Sequence, residues 1–470
     1  MTDFGHYDLV VIGAGSGGLV GARFAAQLGA KVALIEKNRI GGDCTWTGCV
    51  PSKALIKAAK VAHEIRTAAR YGICTSPPTA DMSAVREYVR SAIHAVYELE
   101  TPEALAREKV DAIFGAAQFI DVTTINVGEQ TIHSKAFLLT TGAHPFVPPL
   151  PGLNTVPFIT YEDIFENDAL PKRMIVLGGG PIGMEMAQAY QRLGSQVTVV
   201  TNSVLPKEDA EVQKLMQSVL EREGVRFILE PARSARLHGN VIFIISDTQE
   251  VEGDLLLVAV GRKPNIDGLQ LDKAGVRYSA NGIEVDDRLR TNVKHIYAAG
   301  DVTGRYQFTH YAGWQAFQAV RNALLPGNST GVSDLVPWVT FTDPEVAHIG
   351  ATEEKARSQH GDRIQVHRWE LGKVDRAVCE NDVSGFLKII TKPDGEILGA
   401  TIVAARAGET ISELIVAMKQ RMKIGELAGA IHPYPTYSTA VQQMAAEIAV
   451  EHLLSGTSGK LVRGLSKAFR

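Results

Sequence analysis

Two cysteines, Cys44 and Cys49, stand either side of four residues in the stretch Gly41 to Lys53, GGDCTWTGCVPSK. Cysteine reacts as its thiolate, which the positive end of a helix and a nearby lysine both favour. Pro51, Ser52 and Lys53 open a helical pattern directly behind Cys49, so this pair has the makings of a redox-active dithiol at a helix start, with Cys49 the better placed thiol. Two blander readings compete, a zinc half-site and a pair of unremarkable buried thiols. A zinc site needs further Cys or His at matched spacing, and none follows, so no metal site is expected.

The elements around the pair define its purpose. Upstream, Tyr7 to Ile12 is a short apolar run, then come Gly13-Ala14-Gly15-Ser16-Gly17-Gly18, a helical pattern to Leu28 and a strand ending at Glu36. This is a dinucleotide fingerprint in full context: Gly13 allows the tight turn, Gly15 lets a pyrophosphate approach the helix N-terminus, and Gly18 lets helix and strand pack closely. Glu36 is placed to accept from ribose hydroxyls. The dithiol follows within one connection, beside whatever dinucleotide Glu36 holds, and a flavin can exchange electrons with a thiolate. A helix is expected from Ser52 towards Ala69, and a second helical pattern from Met82 to about Lys109. Short strands fill 110–139, and a proline-rich linker runs from Pro145 to Pro151.

Beyond the linker the pattern repeats. The strand Arg173 to Leu177, the loop Gly178-Gly179-Gly180-Pro181-Ile182-Gly183, a helix and the strand Gln196 to Val200 form a second nucleotide unit, so two dinucleotides are implied. Its last strand ends in Thr201 and Asn202, where an acid would favour NADH and an arginine NADPH. Lys207 could reach a 2′-phosphate, a slight tilt towards NADPH, although a solvated surface lysine is the default reading of that residue. Gly261 and Arg262 turn the chain out of this unit. Asn292 to Asp301 reads as a strand whose terminal aspartate can both accept from a sugar-like hydroxyl and cap the next helix, which starts near Thr309. From Leu335 onward no glycine fingerprint recurs and the pattern is α+β. It includes the polar, proline-rich turn His432 to Thr439 and a basic tail, 456–470, read as frayed surface chain in preference to a partner-docking helix.

The fold expected is therefore α/β: two Rossmann-like domains for FAD and NAD(P) plus an α+β dimerisation domain. Residues 1–150 and 276–334 would form the first, 151–275 the second and 335–470 the third. A net charge of −4 offers no basic footprint for nucleic acid. Four cysteines fit a reducing compartment, no run is long enough for a membrane span, and a strand beginning near Tyr7 leaves no room for a leader. A cytoplasmic address follows as an expectation.

In this order the motifs resemble the class I pyridine nucleotide-disulfide oxidoreductases, the family of dihydrolipoamide dehydrogenase, glutathione reductase and mercuric reductase. The resemblance implies FAD held with Gly42, Gly115, Thr141, Gly142, Asp301 and Thr309 besides the first fingerprint, NAD(P)H held by the second, and a homodimer. It implies that Cys44 meets the acceptor, that Cys49 contacts the flavin, and that Lys53 lies near flavin N5 paired with Glu185. Electrons would pass from NAD(P)H through FAD to the Cys44-Cys49 disulfide and on to a small-molecule acceptor.

Departures from the family pattern bear on that acceptor. Tyr434 stands where dihydrolipoamide dehydrogenase and glutathione reductase carry an acid-base histidine, and Thr439 where they carry its glutamate partner. Tyrosine, with a pKa near 10, is a poor base. Mercuric reductase shares the tyrosine, but its terminal cysteine pair has no counterpart after Cys379 here. Pro181 replaces the tyrosine lid of glutathione reductase. The expected acceptor is a soft metal ion, a quinone-like compound or a small disulfide. The alternatives are a lipoyl-directed enzyme with His432 as base, and a redox-sensing flavoprotein.

Overall fold

The computed structural model describes residues 3–454 and 456–469. The chain divides into two compact units, one of residues 1–202 and 223–333, the other of 203–222 and 334–470.

The first unit holds two parallel sheets. One has five strands in the order Ile296–Ala298, Phe137–Leu139, Leu9–Ile12, Val32–Glu36, Val110–Phe114. The strand Leu9–Ile12 is buried along its whole length, as a parallel strand covered on both faces must be. The other has four, Arg226–Ile228, Gln196–Val200, Arg173–Leu177 and Leu255–Val258. Each sheet sends one glycine loop from a central strand into a helix, Ser16–Gln27 in the first and Pro181–Leu193 in the second. A third layer, the antiparallel meander Ser234–His238, Val241–Ile245, Glu250–Gly253, shares a core with the second sheet.

The second unit is an antiparallel five-stranded sheet ordered Trp338–Thr340, Glu345–Gly350, Ile397–Ala404, Phe386–Thr391, Gln365–Glu370. Its apolar face buries Ile349, Leu387, Ile389 and Ile402 under the helices Ala407–Lys419 and Thr439–Leu454. Residues 203–222 are anchored here by charge: buried Lys388 lies 2.5 Å from both Asp209 and Glu211, and the Trp338 indole donates to Glu208 at 2.5 Å. A buried ammonium requires such partners. By sequence this segment reads as part of the second nucleotide domain; spatially it groups with the sheet that supplies Lys388.

Two expectations need correction. The helical pattern from Met82 to Lys109 is two helices, Met82–Tyr97 and Pro102–Arg107, because Pro102 sits at a helix start where the Thr101 hydroxyl accepts from the Ala104 amide at 3.2 Å. The tail is a helix, Gly456–Ala468, rather than frayed chain; its leucines recur at helical spacing. Arg470 lies outside the described residues.

Candidate active site

Cys44 sits on a short helix, Gly42–Trp46, and Cys49 is the first residue of the 19-residue helix Cys49–Thr67. Gly41 and Gly42 adopt φ of 108° and 60°, and a Cβ on Gly42 would lie 2.7 Å from the Gly15 Cα. Only glycine permits this backbone contact, which sets the dithiol stretch against the first fingerprint loop.

Both cysteines are free thiols, Cys44 half-buried and Cys49 exposed. The Cys49 thiol is held below the ordinary thiol range, chiefly by the hydrogen bond it accepts from Cys44; burial opposes this, and the Thr309 hydroxyl and the Lys53 charge reinforce it. Cys44 moves the other way, raised first by donating to Cys49 and then by burial. The opposite shifts favour a thiolate at Cys49 over one at Cys44. Thr309 Oγ1 lies 3.3 Å from Cys49 Sγ, and Ser16 hydrogen-bonds Cys44.

Ser16, Cys49 and Thr309 each begin a helix of 12 residues or more, and no described side chain caps any of the three. Three positive helix ends thus converge on one place, which suits a thiolate and a further anion. Lys53, one turn after Cys49, adds a cation: its Nζ lies 2.9 Å from Glu185 Oε2 and donates to Ser52 at 3.2 Å. Glu185 is buried on the helix that follows the second glycine loop. That helix brings the second nucleotide loop to the lysine.

The two glycine loops repeat each other in detail. Gly13 and Gly178 have φ of 102° and 119°, and a Cβ on either would strike a neighbouring carbonyl at 2.4 Å, Thr140 and Ala259 respectively. A Cβ on Gly18 would meet the Gly13 carbonyl at 1.8 Å, and one on Gly183 the Gly178 carbonyl at 2.2 Å. The middle glycines face open space: nothing lies within 4 Å of the Cβ position at Gly180, and only the Gly42 Cα, at 3.8 Å, near that at Gly15. Each loop therefore keeps a cradle before a helix end, which fits a pyrophosphate in both.

The remaining sequence candidates fall around these loops. Glu36 accepts from the Ala14 amide at 2.8 Å and, through its other oxygen, from Asn38 at 2.7 Å, leaving each oxygen a further lone pair. Gly115 donates its amide to the Glu36 carbonyl at 2.8 Å. Thr141 and Gly142 are bound to Asn265, the Thr141 hydroxyl donating at 2.6 Å and the Gly142 carbonyl accepting at 2.9 Å. Gly261 has φ 148° with open space around it. Thr201 is half-buried, while Asn202 and Lys207 are exposed.

Arg262 binds elsewhere than its motif suggests. Its guanidinium lies 2.7 Å from Asp301 and 2.5 Å from Asp43, the residue before Cys44, and donates to the Tyr161 hydroxyl at 3.1 Å. Asp301 caps no helix, since Phe308 is the N-cap residue of Thr309–Leu324. Its carboxyl is raised by burial against the opposing Arg262 charge. Sequence reasoning had not singled out Asp43, Tyr161 or Ser16 as partners. Asp43 and Ser16 lie inside recognised motifs, but Tyr161 carries no sequence signal.

In the second unit His432 is engaged at both nitrogens, Nδ1 with the Ala430 carbonyl at 3.0 Å and Nε2 with Glu413 at 2.8 Å. Burial pulls its pKa down, but these two acceptors outweigh it and hold the ring above its ordinary value. Exposed Tyr434 donates to Asp375 at 2.5 Å, which raises its phenol. Thr439 donates to the Thr436 carbonyl at 2.5 Å. Among the described residues no group of three or more His, Cys, Asp or Glu is arranged to hold a metal ion, and no helix is long and apolar enough to cross a membrane.

Comparison with known proteins gives a consistent result. The family profile described as Pyridine nucleotide-disulphide oxidoreductase matches residues 7–316, and that of its dimerisation domain matches 336–445. A dihydrolipoyl dehydrogenase of Corynebacterium glutamicum is 36% identical over 468 residues, covering 94% of this chain and 98% of the relative. A mercuric reductase of Shigella flexneri is 35% identical over 453 residues, covering 92% and 79%. Among solved structures, the HOCl-induced flavoprotein disulfide reductase RclA from Escherichia coli matches with a TM-score of 0.85 at 29% identity, covering 94% of this chain and 99% of that one. A Cu(II) complex of RclA matches with the same score.

Proposed function

The chain belongs to the pyridine nucleotide-disulphide oxidoreductase family, an FAD-dependent class, and within it we propose that the Cys44–Cys49 pair passes electrons to a soft metal ion. FAD, when bound, carries two electrons between a pyridine nucleotide and the dithiol. Gly13, Gly15, Gly18 and Glu36 would hold it, with Thr309 at the thiolate and Lys53 supplying a cation. Gly178, Gly180 and Gly183 would hold the nucleotide. Cys44, the protonated thiol of the pair, is the one offered to the acceptor. For mercuric ion the balance is NAD(P)H and Hg²⁺ giving NAD(P)⁺, H⁺ and elemental mercury.

One observation carries this reading: neither polar ring of the proline-rich turn is available as a base. The Tyr434 phenol is kept protonated by Asp375, and both His432 nitrogens are occupied. Turnover of a dithiol such as a dihydrolipoyl group needs a base to take its proton and make the attacking thiolate. A thiophilic cation needs none, because it displaces the thiol protons as it binds. The mercuric reductase relatives and the Cu(II) complex of RclA are in keeping with this. A lipoyl group or another small disulfide is the second reading, supported by the dihydrolipoyl dehydrogenase relative.

An acceptor screen tests both. Oxidation of NADH and of NADPH is followed anaerobically with mercuric ion, cupric ion, lipoamide, glutathione disulfide and quinones. The metal ions should give the highest kcat/KM; faster turnover of lipoamide would replace the first reading by the second. Reduction by NADPH that is slow and less than stoichiometric would point to a redox sensor. The dimerisation domain suggests a homodimer, which size-exclusion chromatography with light scattering would show.

A further inference from the structure

The helix Gly456–Ala468 presents two faces of opposite chemistry. Leu461, Leu465 and Phe469 follow one another at four-residue steps, so they form one stripe. They are 65%, 50% and 89% exposed. The Phe469 amide donates to the Leu465 carbonyl at 3.0 Å, which carries the helical turn through to the last of the three. Lys460, Arg463 and Lys467, at steps of three and four, occupy the opposite face and are exposed. The chain as a whole is net −4, yet its last fifteen residues contribute four cations and no anion.

We propose that this helix seats the protein on an anionic lipid surface, with Leu461, Leu465 and Phe469 in the acyl boundary and the cations among the headgroups. A helix with this division of residues lies in the plane of a membrane interface rather than across it. Charge complementarity favours this occupant over a second copy of the helix, since an anionic interface engages both faces, whereas a second copy pairing along the apolar stripe would leave the cations of the far face without a partner. A purely polyanionic partner would leave the stripe in water. A single helix of this length gives only weak, reversible binding, and two in a homodimer multiply it.

The test is cosedimentation of the full-length holoenzyme with vesicles of phosphatidylcholine alone, or with about a third phosphatidylglycerol, at low and high salt. Binding to the mixed vesicles at low salt is expected, falling at least about tenfold in about 0.5 M salt. Leu465→Asp should abolish it, with solution activity and subunit association unchanged. Arg463→Gln and Lys467→Gln, on the exposed polar face, should each weaken it about fivefold and keep the test decisive if Leu465→Asp fails to fold. The proposal is overturned by no binding at low salt, by equal binding to neutral vesicles, or by Leu465→Asp separating the subunits, which would make the stripe a contact between copies of the chain.

Discussion

The dithiol stretch and the proline-rich turn both bring a pair of reactive side chains to one place, but they treat protons in opposite ways. At Cys44 and Cys49 the hydrogen bond between the two sulfurs, reinforced by Thr309 and Lys53 and set among three helix ends, favours the anion on Cys49 over that on Cys44. At His432 and Tyr434 the acceptors are Glu413, the Ala430 carbonyl and Asp375, and they raise the pKa of both groups. Positive surroundings make a thiol a nucleophile; negative surroundings keep an imidazole and a phenol from serving as bases. The metal ion proposed above is an acceptor that needs thiolates and no partner base.

The largest test removes the reactive side. Cys44→Ser and Cys49→Ser should each cut metal-dependent turnover by about a thousandfold or more. They should differ spectroscopically: after two-electron reduction the long-wavelength thiolate-to-flavin band should persist in Cys44→Ser and vanish in Cys49→Ser. A band retained in Cys49→Ser would reverse the roles of the two thiols.

Next in size is the cation. Lys53→Met leaves the buried Glu185 carboxylate without its lysine. The rate of reduction by NADPH in stopped flow should fall about ten- to a hundredfold, with a smaller loss in Glu185→Gln, which keeps the charge of Lys53. The Cys49 ionisation, read from the pH dependence of the long-wavelength band, should move up in Lys53→Met, because the cation that lowers it is gone. An unmoved ionisation would detach Lys53 from the dithiol.

The turn should respond far less. Tyr434→Phe is expected to change metal-dependent kcat/KM by less than about tenfold. No activity limb assignable to the phenol should appear in the neutral range, since its pKa is raised from an already high value. Loss of a hundredfold or more would make the phenol part of the chemistry. Tyr434→His should raise turnover of small disulfides if the missing base is what limits them.

The smallest effect is on stability. The folded-state pKa of His432 is raised above its unfolded value of about 6.5. The pairing with Glu413 therefore stabilises fully below that value and fades as pH rises through the folded pKa. Glu413 is partly exposed, so His432→Gln should cost about 1 kcal/mol at pH 5.5 and less at pH 9, as measured by urea unfolding. A cost that grows with pH would show that the ring is neutral in the fold.

Much of the dithiol region was legible in the sequence because its demands are local. Gly13, Gly18, Gly42, Gly178 and Gly183 stand where a Cβ would strike backbone, and only one residue type meets that condition. Cys49 heads a helix that Ser52 and Lys53 already signalled. The turn was legible in composition alone: His432 read as a spare base, and nothing near it in sequence announced Glu413, nineteen residues earlier. The tail misled for a related reason, since four cations in a short segment read as solvated chain until the helical spacing of its leucines is considered.

By itself the sequence determined the two nucleotide loops, the redox pair between them and the order of the domains, because each rests on residue types at short spacing. Tertiary structure decided the partners: Thr309 on Cys49 across 260 positions, Glu185 on Lys53 across 132, and Asp43 on Arg262 across 219. A side chain's charge state depends on whatever the fold places within a few ångströms, and chain distance carries no record of that. The partners that raise His432 and Tyr434 came from the fold too.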